Sequence, residues 1–441
     1  MGTSVIGPPT AISLLTLEEL RQIQLDIRNT LRPSWHEGPP SNLGEKGHGK
    51  LKSDQWRSCI EFDLPVSLVS LLQKAQQQKR SSDISRLRQV LDSTMLLATA
   101  IQWATSHRTS TLHVERYTSL MGQYLQSIRK LRPDLDLHPN HHNALHIQEF
   151  LLSFGPMHGW WMYPFERVNG ILQSTPSNFK IGTPFLIVLI SAGLAYSSRS
   201  VGQLEKTMLE SFCAASQIKS FADRLDSPIL HKCATMLQTC IAVDNRGTLN
   251  ADVNQFLPFH GLTTSADPLV TPLDAELVAA LQRDSAAFER ELPGWAISKY
   301  GTIHSNFKLR RFTFSKSSVN LRNSIIFYQS DHCGNLQPGI IREIFTIHSQ
   351  DGLSHWTFLA VHPYLSHTHL IDNQLFTQWT DFGASLYSTE HDPYIHIVPT
   401  SRRIFHAIQR RWNGTSQVLK SLDRVSTFYP LPVPWPLPLF L

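Results

Sequence analysis

His142 and His146 stand four residues apart, so on a helix they share one face. Two imidazoles on one face can ligate a transition metal. They supply two ligands where zinc usually takes four, and the five cysteines, Cys59, Cys213, Cys233, Cys240 and Cys333, contain no C-x-x-C pair to complete the set. Packing or hydrogen bonding is therefore the reading that the residues favour for this pair, with metal ligation as its competitor. Glu166 follows Pro164 in what reads as the first turn of a helix, where the helix dipole favours a negative charge whatever the function. Arg402, Arg403, Arg410 and Arg411 could touch phosphate. As a run at the end of a helix they would equally be a solvated face that suits the dipole. Tyr328, Trp356, Phe358 and Tyr364 could line a groove or a cation-binding cage, against the ordinary role of alternating strand aromatics as core.

These residues need elements to position them. Residues 16–32 read as a helix that Thr16 caps, with Glu19 at capping-box spacing and Pro33 as its stop. Residues 33–50 are a Gly/Pro-rich connection. Over 51–150 the pattern is helical: Ile84, Leu87, Leu91 and Met95 form one apolar stripe, and Val114, Tyr117, Met121, Tyr124 and Ile128 form another. Asn140 can cap a further helix through about Leu152, and helices are also expected after Pro164 and over 203–223. Residues 246–270 are loop-like, and Thr271-Pro272 opens a short helix through Glu291. After about residue 293 the texture turns to short β-rich runs, Ser324–Tyr328, Ile340–Ile347, Trp356–Val361 and Ile395–Val398, separated by turn formers. A short helix over Ser401–Trp412 is expected next, and then an extended tail with proline at every second position from Pro430 to Pro438.

The expected fold class is α+β, a mostly helical N-terminal domain followed by a small antiparallel β domain. A chain of 441 residues is too long for one core, so separate domains are expected. The divisions are 1–50 (helix and irregular connection), 51–245 (helical domain), 246–292 (linker and short helix), 293–412 (barrel-like β domain) and 413–441 (Pro-rich tail). A net charge of +5 permits contact with nucleic acid without demanding it. Few, odd and scattered cysteines favour a reducing compartment. The first residues show no signal-peptide pattern, and the most apolar run, Phe185–Ala195, is well short of the roughly 20 residues a membrane span needs.

Three stretches carry a family resemblance: Pro33–Leu68, "PSWHEGPPSNLGEKGHGKLKSDQWRSCIEFDLPVSL"; His138–Gln173, "HPNHHNALHIQEFLLSFGPMHGWWMYPFERVNGILQ"; and Gln203–Ser216, "QLEKTMLESFCAAS". In this order they resemble the C-terminal region of CACTA-type (En/Spm-like) DDE transposases of plants and basidiomycete fungi, over about residues 30–220. "GIIREIFTI" and "IHIVPTSRRIFHA" resemble, more loosely, the small domain that follows in those proteins. The likeness implies a remnant of a ribonuclease-H-like core, nuclear localisation, and DNA as partner. In the intact family, magnesium or manganese held by three carboxylates activates the attacking oxygen and steadies the leaving one. The likeness carries the third acid to Glu166, twenty residues beyond His146, and a metal-ligand or structural role to His142 and His146.

The departures set the functional expectation. The likeness begins after the family's first two aspartates. Asp134 and Asp136 sit on a Pro-bounded loop and do not replace them. The expectation is a truncated or decayed copy: no cofactor for the isolated chain, no cleavage activity alone, and DNA contact that is weak and non-specific. Residues 183–202 interrupt the family pattern as an insertion or a retained intron. The alternative function is a protein- or chromatin-binding module in the β domain. No membrane or small-molecule partner is expected.

Overall fold

The computed structural model describes residues 14–162 and 270–422, apart from 46, 48, 293, 310–311, 331–334, 350–353 and 367–373. Glu166, residues 183–202, the expected helices after Pro164 and over 203–223, and the Pro-rich tail lie outside the described residues. The chain forms two compact units, residues 1–157 with 258–441, and residues 158–257. The elements below belong to the first.

Helix α1, Leu17–Arg28, starts at the expected capping box. The Thr16 amide donates to Glu19 at 2.7 Å and the Glu19 amide donates to Thr16 Oγ1 at 3.2 Å. It ends before Pro33, because Thr30–Leu31 leaves the helix as strand β1. Helix α2, Ser53–Ser58, runs into one turn of π-helix, Cys59–Asp63, and then into α3, Leu64–Gln77. Helices α4, Ser81–Ala104, and α5, Thr111–Leu131, bury the expected stripes through Leu87, Leu91 and Met95, and through Val114, Tyr117 and Met121. Helix α6, Pro139–Phe154, follows. After strand β2, Val270–Pro272, helix α7 spans Ala275–Glu291. Residues 271–272 thus belong to a strand, and Asp274 caps the helix by accepting from the Glu276 amide.

Strands β3 (Tyr300–His304), β4 (Asn306–Leu309), β5 (Phe312–Ser315), β6 (Ile325–Gln329), β7 (Leu336–His348) and β8 (His355–Ser366) come next. The short helix α8, Gln374–Thr377, precedes β9 (Ala384–His391), β10 (His396–Pro399), β11 (Ile404–Arg411) and β12 (Ser416–Ser421). The pairing β6-β7-β8-β9-β12-β11 returns from β11 to β6, so these antiparallel strands close into a ring. Closure removes the open edges that invite unwanted pairing. Ile325, Phe327, Tyr364, Ala407 and Leu419 come from strands around the ring and cluster together. Strand β1 adds to β11, and β2–β3 extend from β7.

A mixed α and antiparallel β fold is what the sequence leads one to expect. Among the described residues the expected separation into a helical and a β domain is not observed. Ile23 of α1, Val66 and Leu72 of α3, Leu87 and Leu91 of α4, Leu386 of β9, Ile408 of β11 and Val418 of β12 share one core cluster. On the other side Phe288 of α7 packs on Phe345, Phe358 and Ile397. The helices are the cover that the outer face of the ring requires.

The expected helix over 401–412 is also corrected, since 404–411 is strand β11. Ile404, His406, Ile408 and Arg410 alternate into the interior there. That two-residue period is satisfied only because β6 and β12 flank the segment.

Gly339 lies at a tightly packed place in the ring. A Cβ there would meet Val361 Cγ1 at 2.5 Å, the His362 carbonyl oxygen at 2.8 Å and Tyr328 Cε1 at 3.1 Å. Gly339→Ala is expected to destabilise the chain by about 1–3 kcal/mol through overpacking. An unchanged midpoint in urea unfolding would refute this.

Candidate functional site

The two histidines meet on α6. Pro139 opens this helix, and the His138 amide donates to His141 Nδ1 at 3.0 Å. One face is anchored to α5: the Tyr117 hydroxyl donates to the Ala144 carbonyl at 2.6 Å, and Thr118 Oγ1 donates to Gln148 at 2.9 Å. The other face carries His142 and His146, whose Nε2 atoms approach to 3.2 Å with the rings nearly perpendicular. One Nε2 donates to the other, and which ring is the donor depends on the tautomers. His146 Nδ1 lies 3.6 Å from Glu149, and both side chains are largely exposed. Two converging imidazole nitrogens can clasp one cation from two sides and leave its other positions to water. Among the described residues no group of three or more His, Cys, Asp or Glu side chains is gathered to hold a metal. Asp134 is occupied by Arg132, which donates to both carboxylate oxygens at 2.8 Å.

The four arginines do not form a phosphate-facing patch, which corrects that expectation. They lie on β11 and the turn before it, where alternate residues point to opposite faces. Arg402 is clamped by Glu291 at 2.5 and 3.0 Å and donates to the Ser330 carbonyl. Arg403 lies over the Phe405 ring. Arg410 is only 3% exposed, and Arg411 alone of the four is exposed. The aromatic-cage expectation also falls. Tyr328 and Phe358 are fully buried and Tyr364 is 5% exposed, so their rings serve the core.

What the sequence reading missed is the polar centre that Arg410 enters. In the π-turn the Leu64 amide reaches back five residues to the Cys59 carbonyl, which carries Asp63 into the interior at 0% exposure. Asp63 Oδ1 accepts from Arg32 and, at 2.9 Å, from Arg410. Arg410 also donates to Thr30 Oγ1 at 2.9 Å and to Ser67 Oγ at 2.7 Å, and Asp26 lies 3.7 Å away. Burial pushes the Arg410 guanidinium down from its ordinary value, and Asp63 and Asp26 push it back up. Two cations and two carboxylates balance in this interior. Nearby, Lys420 donates to the Glu61 carbonyl at 2.8 Å and lies over the Phe382 ring. Burial raises the Cys59 thiol to about 12, which leaves it protonated and unreactive. The one sequence-level hint was a lone aspartate inside the apolar run "CIEFDLPVSLV".

A cavity of about 420 Å³ lies between α7 and strands β6 and β10. On its wall the Tyr328 hydroxyl meets His396 Nδ1 at 2.9 Å. Burial lowers His396 from its ordinary value and Arg283 lowers it further, which favours the neutral imidazole. Arg283 pairs with Asp284 and donates to the Ile395 carbonyl at 2.5 Å. The cations of this wall are already matched.

Among the described residues no helix is long and apolar enough to cross a membrane. Comparison of the chain with protein-family models, with characterised proteins and with solved structures gives no match.

Proposed function

We propose that the chain derives from the C-terminal part of a CACTA-type DNA transposase and associates with DNA through phosphate contacts, without cutting it on its own. The observation that carries this reading is the order of the three family-like stretches, Pro33–Leu68, His138–Gln173 and Gln203–Ser216. In the fold the first of these stretches contains the π-turn and Asp63, through which the helices are tied to the ring. On this reading the protein is nuclear, and Glu166 descends from the third metal-binding acid. His142 and His146 descend, on the same reading, from a metal-ligand or structural pair. A pair of divalent cations in line needs several carboxylates, and the likeness supplies one.

The test is cleavage of a labelled duplex with manganese, comparing the chain with Glu166→Gln. Neither protein is expected to nick or join strands. Binding should be indifferent to sequence and fall steeply with added salt. Activity in the parent that vanishes in the variant would overturn the inactive-remnant reading.

A further inference from the structure

We infer that a polar cavity at the C-terminal end of α1 is an oxyanion site that takes a phosphate group. The geometry of the cavity supports this without the transposase reading. The cavity measures about 280 Å³ and is lined by Arg28, Arg32, Ser34, His36, Ser41 and Arg322 among others, with no carboxylate in its wall. That size suits a phosphate and its immediate ester rather than a large organic ligand.

Three observations point to an anion. First, the charge is unmatched. Arg28 and Arg322 make no ion pair among the described residues, and both are exposed at the cavity. Arg32 and Arg410 are balanced by Asp63 and Asp26, so the two outer guanidiniums leave an excess of positive charge. A phosphate monoester carries about −1.5 to −2 near neutral pH, which matches it.

Second, a donor is held ready. The Arg32 side chain is only 10% exposed and its guanidinium is fixed by Asp63. Its Nε is buried and makes no hydrogen bond among the described residues. Gly38 packs directly against the guanidinium, since a Cβ there would lie 2.9 Å from Nε and 2.8 Å from Cζ. A buried, charged donor left without an acceptor is costly, and an oxyanion would satisfy it.

Third, the hydroxyl of Ser34 is oriented. Asn323 accepts from the Ser34 amide at 2.9 Å and donates to Ser34 Oγ at 3.1 Å, so the serine proton remains to be given to a ligand. Planar guanidinium forks suit phosphate oxygens better than they suit a single point acceptor. The same chemistry fits a nucleic-acid phosphodiester and a free phosphate or phosphomonoester.

Titration calorimetry on the full chain at low salt tests this with three probes: inorganic phosphate, a short oligonucleotide with a 5′-phosphate, and the same oligonucleotide without it. Arg28→Gln and Arg322→Gln alter exposed side chains outside the buried network, and unchanged thermal midpoints will show that both variants fold. Saturable phosphate binding is expected, weakened about tenfold in each variant. Tighter binding of both oligonucleotides supports the site with a phosphodiester as its ligand. Preference for inorganic phosphate and the 5′-phosphorylated probe supports it with a terminal or free phosphate. No saturable binding of any probe, or equal affinities in parent and both variants, overturns the inference.

Discussion

Asp63→Ala is expected to destabilise the chain by about 3–5 kcal/mol. The carboxylate is fully buried and is the acceptor shared by Arg32 and Arg410. Removing it leaves two guanidiniums in a low-dielectric interior with Asp26 as the remaining counter-charge, 3.7 Å from Arg410. The cost arises from those stranded charges more than from the lost attraction, because a buried ion pair gains little over apolar groups of the same shape. Asp63→Asn should therefore be nearly as damaging, since it keeps the shape and removes the charge. Arg410→Met should cost less than either, because it removes a buried cation and leaves Asp63 paired with Arg32. Urea unfolding at neutral pH reads all three. A loss below about 1 kcal/mol for Asp63→Ala would show that this centre does not hold the helices to the ring.

The second large effect is a loss of stability on acidification, centred on His406. Its ring stacks on Phe314 at 4.1 Å with the planes 3° apart, and Nδ1 accepts from the Trp35 indole at 3.2 Å. Burial lowers its pKa from the ordinary 6.5 to about 4, with the backbones of Thr313 and Asn323 pulling partly the other way. Between those values the unfolded chain holds a proton that the folded chain does not, so stability falls as pH falls. The full contribution is present above pH 6.5, drains away towards pH 4, and changes no further below it. The interval from 6.5 to about 4 corresponds to about 3 kcal/mol in total. His113, His304, His391 and His396 are also lowered by burial and add to the same slope. The informative quantity is therefore the difference between parent and His406→Gln. The variant should be less stable at pH 7 and show a shallower decline between pH 6.5 and 4. Parallel curves would mean that His406 titrates alike in both states.

Much of the local structure was legible without the fold. The Thr16–Glu19 capping box, the stripes on α4 and α5, and the runs that became β6, β7, β8 and β10 depend on neighbours within a few residues, and short-range pattern records them. The pairing of His142 with His146 is of the same kind, because helical geometry alone brings residues four apart together. Segment 404–411 was not legible. Its charged residues suit a solvated helix, and only the place between β6 and β12 turns Arg410 inward. The polar centre was less legible still, since Asp63 and Arg410 are separated by 347 residues. The same holds for the proposed anion cavity, where Arg322 is brought beside Arg28 and Arg32. A sequence determines what each short segment prefers. Which buried charge meets which depends on how the ring closes and which helices cover it, and only the tertiary structure decides that.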